Sequence, residues 1–421
     1  MAGPNHSPIS IDADAALDRF VRLTAIEGKS GNEAGVAAAI RDELIAAGVD
    51  ASNIHVDDAH TRTMPLDADG SMGNQGNLIV HLPGTDSTGG DATGRDSTGD
   101  GSPRTMLSAH MDTVPICVGS KPVRRRHDGP HADRIESDDP ATGLGADDRS
   151  GCAAILTAII ERMRRGGGGP PAVVTFLIQE EIGLRGARYL DRDLVGRVDR
   201  AFNFDGGDPE KMTLGAPGGQ RITMTIQGLP AHAGVAPETG ISAIVIAGKA
   251  IASLAADGWL GRIERDGGRG TANIGIIRGG EATNVITPTV MLRAETRSHD
   301  AEFRQRIVDE IRSRFESAAA AETNQAGDCG RIEFESSIDY ESFRLADDHP
   351  SLTAARRAIE SVGRTPRGEI GGGGLDANWL FRYGIEAVTL GSGQNNIHTA
   401  EEYLDIAGYL DACRIATQLI A

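Results

Sequence analysis

His110, Asp147, Glu181, Asp205 and His398 each fall at the end of an apolar stretch that reads as a strand, or in the loop after it. Asp112 and Glu180 stand beside two of them. Imidazoles and carboxylates without thiolate, scattered along the chain but gathered at strand ends, suit a two-metal hydrolase site. Water held at such a site ionises near neutral pH and becomes a nucleophile strong enough for an amide bond.

The local sequence assigns parts to these residues. In SAHMDTVP, His110 and Asp112 lie two apart on an extended chain, so their side chains point the same way, and a carboxylate near a ligating imidazole sets its orientation. In GLGADDRSG, glycines permit a tight turn where a helix begins; one aspartate can cap the helix while the other binds metal. A carboxylate that bridges two metals must leave a constrained turn, which favours Asp147 for that part. Gln179-Glu180-Glu181 follows the most apolar run of the chain, AVVTFLI. Adjacent like charges raise one pKa and allow a division in which Glu181 binds metal and Glu180 moves a proton. Asp205 ends the strand before GGDP, and His398 follows the strand 387–390 among polar neighbours, NN and T-x-EE, able to support a ligand.

The elements that must place these groups alternate. Two helices open the chain, the second starting with a capping box at Ser30 and Glu33 and ending at Gly48. Strands are expected at 77–82, 105–110, 172–178, 200–204 and 387–390, and helices at 146–165, 351–362, 376–383 and 406–420. This order implies an α/β fold with a mixed, mainly parallel sheet and helices on both faces. The polar tract at about 84–104 reads as a disordered loop. Between Leu214 and Tyr340 the pattern becomes β-α-β-β-α-β, that of an inserted ferredoxin-like α+β module. The expected domains are therefore 1–214 with 339–421, and 215–338.

Bulk composition narrows the partners. With 421 residues, two domains are expected, and 39% hydrophobic content with 55 glycines fits a loop-rich α/β enzyme. A formal net charge of -18 repels nucleic acid and anionic membranes. No leader-like N-terminus or membrane-length apolar run is present, so the expectation is a cytoplasmic protein. Cys117, Cys152, Cys329 and Cys413 are widely spaced and read as small hydrophobes rather than a disulfide framework or a thiolate metal site.

Taken in order, AHMDTVP, GADDRSG, QEEIGLRGA, NFDGG, GLPAHAG, GGEATNVI, the Arg297 segment and IHTAEEYLDI resemble the peptidase T-like branch of the co-catalytic zinc peptidases, a family that also contains carboxypeptidases and aminoacylases. The resemblance implies a metallopeptidase of the aminopeptidase type, a tripeptidase with two Zn²⁺ per subunit and a short peptide as substrate. Manganese or cobalt would also suit the ligands. It implies that His110, Asp147 and Asp205 hold one metal and that Asp147 bridges to a second, held by Glu181 and His398. It also implies that Glu180 is the general base and that Asp112 tunes His110. His232 would stabilise the oxyanion, Asn284 and Arg297 would contact substrate, and the GGGGLDAN turn would bring backbone close to it. The inserted module would act as a lid, closing about hinges near residues 214 and 338, and as a surface for homodimerisation.

Two other functions fit the same residues. An N-acyl or N-carbamoyl amino acid amidohydrolase of this family would keep the chemistry and change the substrate. A metal-binding interaction protein without catalysis would have no need of Glu180.

Overall fold

The computed structural model describes residues 9–63, 65–66, 70–84 and 103–421; the tract read as a disordered loop lies almost wholly outside them. The chain divides into two compact units. One is built from the chain up to Gly215 with Arg344–Gly371 and Leu375–Ala421, the other from Ala216–Phe343 with Gly372–Gly374.

The first unit is organised around an eight-stranded mixed sheet. Its order is Ile54–Val56, Leu78–Leu82, Ala172–Leu177, Thr105–His110, Arg200–Phe204, Ala387–Leu390, Lys211–Thr213 and Arg367–Glu369. The four strands from Ala172–Leu177 to Ala387–Leu390 run parallel to one another, with Thr105 opposite Ala172 and His110 opposite Leu177. Every residue of Ala172–Leu177 is buried, as an apolar, β-branched run covered on both faces must be. Parallel alignment puts the C-terminal ends of these strands along one edge, where open α/β sheets carry their sites. The strands at 105–110, 200–204 and 387–390 have the bounds expected from sequence.

The long helix differs from its sequence reading in two ways. Its pattern suggests one apolar face, yet every residue from Ala146 to Arg162 is buried. The helix packs against the strand Thr105–His110 and also against the helices Ala13–Thr24 and Ile406–Ile420, so it has little solvent face left. Asp147 and Asp148 at its start have non-helical backbone angles, which makes them a turn rather than a first helical turn.

The capping box expected at Ser30 and Glu33 is absent. Glu33 makes no side-chain cap bond to the helix Ala34–Ala46, and the Ala34 N–H donates to Asn74 Oδ1 instead. Both side chains have other partners in the interior, described below.

A second sheet, ordered Gln394–Asn395, Tyr403–Asp405, Asp133–Ser137 and Pro122–Arg126, was not expected. Its strands are short, and Arg124, Arg125 and Arg126 are exposed, so no apolar alternation marks them.

The other unit is a five-stranded antiparallel sheet ordered Gly261–Arg265, Gly268–Gly279, Thr289–Ser298, Gly218–Gln227 and Arg331–Tyr340. The helices Ala243–Ala256 and Ala301–Ala321 pack on it around a core that includes Met224, Leu254, Trp259, Leu292, Ile311 and Phe315. The four longer strands and two helices follow the β-α-β-β-α-β order. The extra edge strand Gly261–Arg265 pairs with its neighbour through the turn Asp266-Gly267, both residues at positive φ. Asp-Gly is a hairpin signal, but without alternating hydrophobic flanks it was passed over, and the sequence reading missed this strand.

Among the described residues, no helix is long and apolar enough to cross a membrane. Cys117, Cys152 and Cys413 are buried and Cys329 is exposed, all as free thiols.

Candidate metal centre and active site

The site lies along the C-terminal edge of the parallel strands. His110 is the last residue of its strand and is 1% exposed. Its Nδ1 faces the Asp112 main-chain oxygen at 3.1 Å and the Asp112 carboxylate at 3.4 Å, while its Nε2 lies 3.2 Å from Asp147 Oδ1 and 3.9 Å from Asp205 Oδ1. The other Asp147 oxygen, Oδ2, lies 3.3 Å from His398 Nε2, which is also 2.9 Å from Glu181 Oε1. One carboxylate thus stands between two imidazoles, with Asp205 on one side and Glu181 on the other.

Local backbone explains how the residues reach these positions. The Asp148 carboxylate accepts N–H groups from Gly151 at 3.1 Å and His110 at 3.2 Å. The first of these bonds caps the helix and leaves the Asp147 side chain turned toward the histidines. The Asp147 turn is fixed from outside by Glu402, whose carboxylate accepts the N–H groups of Gly145 at 2.7 Å and Asp147 at 3.0 Å. Asp205 N–H donates to the Leu390 carbonyl at 3.2 Å, tying the ends of two neighbouring strands together. Gln179 and His398 both have positive φ, 51° and 64°, in a region that non-glycine residues seldom adopt outside constrained sites.

Carboxyl groups crowd the centre, and burial disfavours their charged form. Burial pushes Glu180, Glu181 and Asp205 above the ordinary carboxylate range, and neighbouring carboxylates push them further. Burial would lower the His110 imidazole, but its bonds to Asp112 and Asp147 outweigh that and raise it. Burial would also raise Asp147, but the two imidazoles hold it low. Asp147 and Glu181 bring donors within 4.8 Å of one another and of His110, as do Asp148 and Asp205. Crowded oxygen and imidazole donors fit divalent cations of the zinc, manganese or cobalt type.

His398 supplies a pH test. Bonds to Asp147 and Glu181 raise its pKa to about 10 in the metal-free protein. An imidazole must be neutral to ligate, so metal entering here displaces a proton at any pH below that value. Apparent affinity should therefore rise toward alkaline pH, by up to about tenfold per unit for each proton released. Titration calorimetry in buffers of different ionisation enthalpy should show at least about one proton released near pH 7; zero release would remove His398 from the ligand set.

Three expected residues lie in the other unit. His232 is exposed, its Nδ1 accepting the Gly234 N–H at 3.2 Å. Asn284 is exposed, and its main-chain oxygen accepts the Ala233 N–H at 3.0 Å, so it lies on the chain beside His232. Arg297 pairs with Glu295 on its own strand at 3.0 Å. The GGGGLDAN turn has a reason for glycine that sequence did not suggest: a Cβ on Gly374 would lie 2.3 Å from the Tyr340 ring.

Sequence reading missed Gln394 and Asp376. The Gln394 amide donates to Asp147 at 3.3 Å and Asp205 at 3.4 Å, and no motif marked it. The Asp376 carboxyl is buried and has no hydrogen-bond partner among the described residues, and burial first, then Asp112 and Glu181, raise it to about 7. Its signal was available, as the acidic residue of GGGGLDAN.

Residues 106–421 match Peptidase family M20/M25/M40, so the chain belongs to that family of hydrolases, in its peptidase T-like branch. A tripeptidase from Staphylococcus aureus subsp. aureus Mu50 superposes with a TM-score of 0.81 at 29% identity, covering 97% of this chain and 98% of that one. The aminopeptidase PepT from Bacillus cereus ATCC 10987 gives a TM-score of 0.76 at 31% identity, with 97% and 98% coverage. The protein YqjE of Bacillus subtilis strain 168, uncharacterized, is 32% identical over 407 residues, 96% of this chain and 97% of its own.

Proposed function

We propose that this protein is a two-metal aminopeptidase that removes the N-terminal residue of short peptides, tripeptides above all. The observation that carries the proposal is the Asp147 carboxylate between His110 and His398, with Glu180 and Glu181 on the adjoining turn. The likeness to a tripeptidase and to an aminopeptidase supports the substrate class.

His110, Asp147 and Asp205 would hold one metal, and Asp147, Glu181 and His398 the other, with zinc the first candidate. When bound, the pair supplies the positive charge that polarises a peptide carbonyl and acidifies water. Glu180 takes the proton from the attacking water and returns it to the nitrogen of the departing amine. Asp112 keeps the His110 imidazole oriented so that Nε2 faces the metal side. His232 is assigned to the charge on the tetrahedral oxygen, and Asn284 and Arg297 to the peptide, where a guanidinium can grip a carboxylate through two bonds. The unit Ala216–Phe343 with Gly372–Gly374, expected from sequence at 215–338, is assigned as lid and homodimer surface and the other unit as the catalytic domain, in a cytoplasmic protein.

The test uses protein stripped of metal and reloaded with zinc, manganese or cobalt. A tripeptide with a free amino terminus should be cut to an amino acid and a dipeptide, and its N-acetylated form should be spared. Release of acetate from N-acetyl amino acids, or of ammonia and carbon dioxide from N-carbamoyl amino acids, with tripeptides untouched, would move the protein to the amidohydrolases. Metal binding without turnover of either class would leave a non-catalytic binding protein.

A further inference from the structure

The proposed reading of the site leaves Ser30 and Glu33 without a function, although both are turned inward. Glu33 is fully buried, and its Oε1 accepts the N–H of Gly31 at 2.8 Å and that of Gln179 at 3.1 Å. Ser30 Oγ donates to Asp112 Oδ2 at 2.6 Å. The same Asp112 carboxylate accepts the N–H groups of Glu180 at 2.9 Å and Glu181 at 3.2 Å.

We infer that Glu33 and Ser30 are positioning residues for hydrolysis, bracing the Gln179–Glu181 turn and Asp112 from behind so that Glu180 and Glu181 keep their places. The reason lies in the backbone. Gln179 is held at φ 51°, where a side chain is unfavourable, and this kink turns the chain immediately after the strand Ala172–Leu177. An isolated turn would relax away from that conformation. Here the Gln179 N–H is held by Glu33, and its main-chain oxygen accepts the Arg185 N–H at 3.1 Å.

A brace must itself be anchored. The Gly28 carbonyl accepts from the Thr113 N–H at 3.1 Å and from Arg149 Nη2 at 3.2 Å, and Arg149 Nη1 donates to the Leu23 carbonyl at 2.9 Å. Arg149 is buried beside the Asp147–Asp148 turn in sequence, so one cation fastens the brace to the helix that begins at the centre. Burial, with Asp112 nearby, raises the Glu33 carboxyl to about 8, so the group is mainly neutral at pH 7 and serves as an acceptor rather than a charge. Glutamine offers the same acceptor oxygen in the same volume.

This inference rests on the proposed reading of the site, and Glu180→Gln run alongside separates the two. Full-length protein reloaded with zinc would be compared as wild type, Glu33→Gln, Glu33→Ala and Ser30→Ala on a tripeptide. Displacing a catalytic group by about an ångström costs on the order of a hundredfold in rate. Glu33→Ala should therefore lose roughly ten- to a hundredfold in kcat with KM changed less than about threefold, and Glu33→Gln should stay within about threefold of wild type. In the metal-free protein, amide exchange at Gln179 should be faster in Glu33→Ala and unchanged in Glu33→Gln, a readout independent of turnover.

Should Glu33→Ala not fold, Ser30→Ala carries the test, with a several-fold lower kcat and an unchanged KM expected. The brace is overturned if Glu33→Ala keeps full kcat, if Glu33→Gln is as impaired as the alanine variant, or if Ser30→Ala leaves kcat unchanged. An active wild type with an inactive Glu180→Gln and a fully active Glu33→Ala rejects the brace alone. A fully active Glu180→Gln rejects the reading of the site.

Discussion

Glu180→Gln is expected to yield a folded protein with undiminished metal content and peptide turnover lower by about 10²- to 10⁴-fold, the contribution typical of a positioned general base. The amide has the volume of the acid and cannot take a proton from water. The backbone position of residue 180 depends on its N–H bond to Asp112 at 2.9 Å, which the substitution leaves in place. Steady-state kinetics with metal analysis on the same sample check the result. A loss smaller than about tenfold would show that another group moves the proton.

The second large effect is expected at Asp147. Its two oxygens face different imidazoles, at 3.2 Å and 3.3 Å, and an amide has only one oxygen to offer. Asp147→Asn should reduce bound metal from two ions to one or none. Loss of a metal pair forfeits several kcal/mol of transition-state stabilisation, so turnover should fall on the order of 10³-fold or more. Because Glu402 holds this turn through the main chain, the Asn variant should keep the turn. Metal analysis after dialysis, with kinetics, separates this outcome from that of Glu180→Gln, where metal stays and rate falls. Two ions retained with full activity would exclude Asp147 as the bridge.

The sheet was readable because its inner strands are apolar on both faces, a pattern with few rivals; AVVTFL is the clearest instance. The same logic located Glu180, Glu181 and Asp205, which follow such strands directly. It failed at Arg124–Arg126, where a strand lies at an exposed sheet edge and carries no hydrophobic signature. Ser30 and Glu33 show another kind of failure. Their spacing suits a capping box, but the helix takes its cap from Asn74, and tertiary contacts with Asp112 and Gln179 claim both side chains. A local motif cannot reveal a partner about 80 or 150 residues away. Gln394 was illegible for a similar reason, since an amide beside two carboxylates becomes meaningful only once the chain has brought Asp147 and Asp205 together.

The place of Ala387–Leu390 in the central sheet bears on the order in which the molecule can be made. This late strand lies between Arg200–Phe204 and Lys211–Thr213, two strands that are near neighbours in sequence. Until the chain has been synthesised past Leu390, that slot stays open and two strand edges lack their partner. Pairing over such separation carries a loop-closure cost and slows folding. A chain stopped before this strand would expose ready templates for association with other chains, a hazard for aggregation rather than a merely inactive fragment.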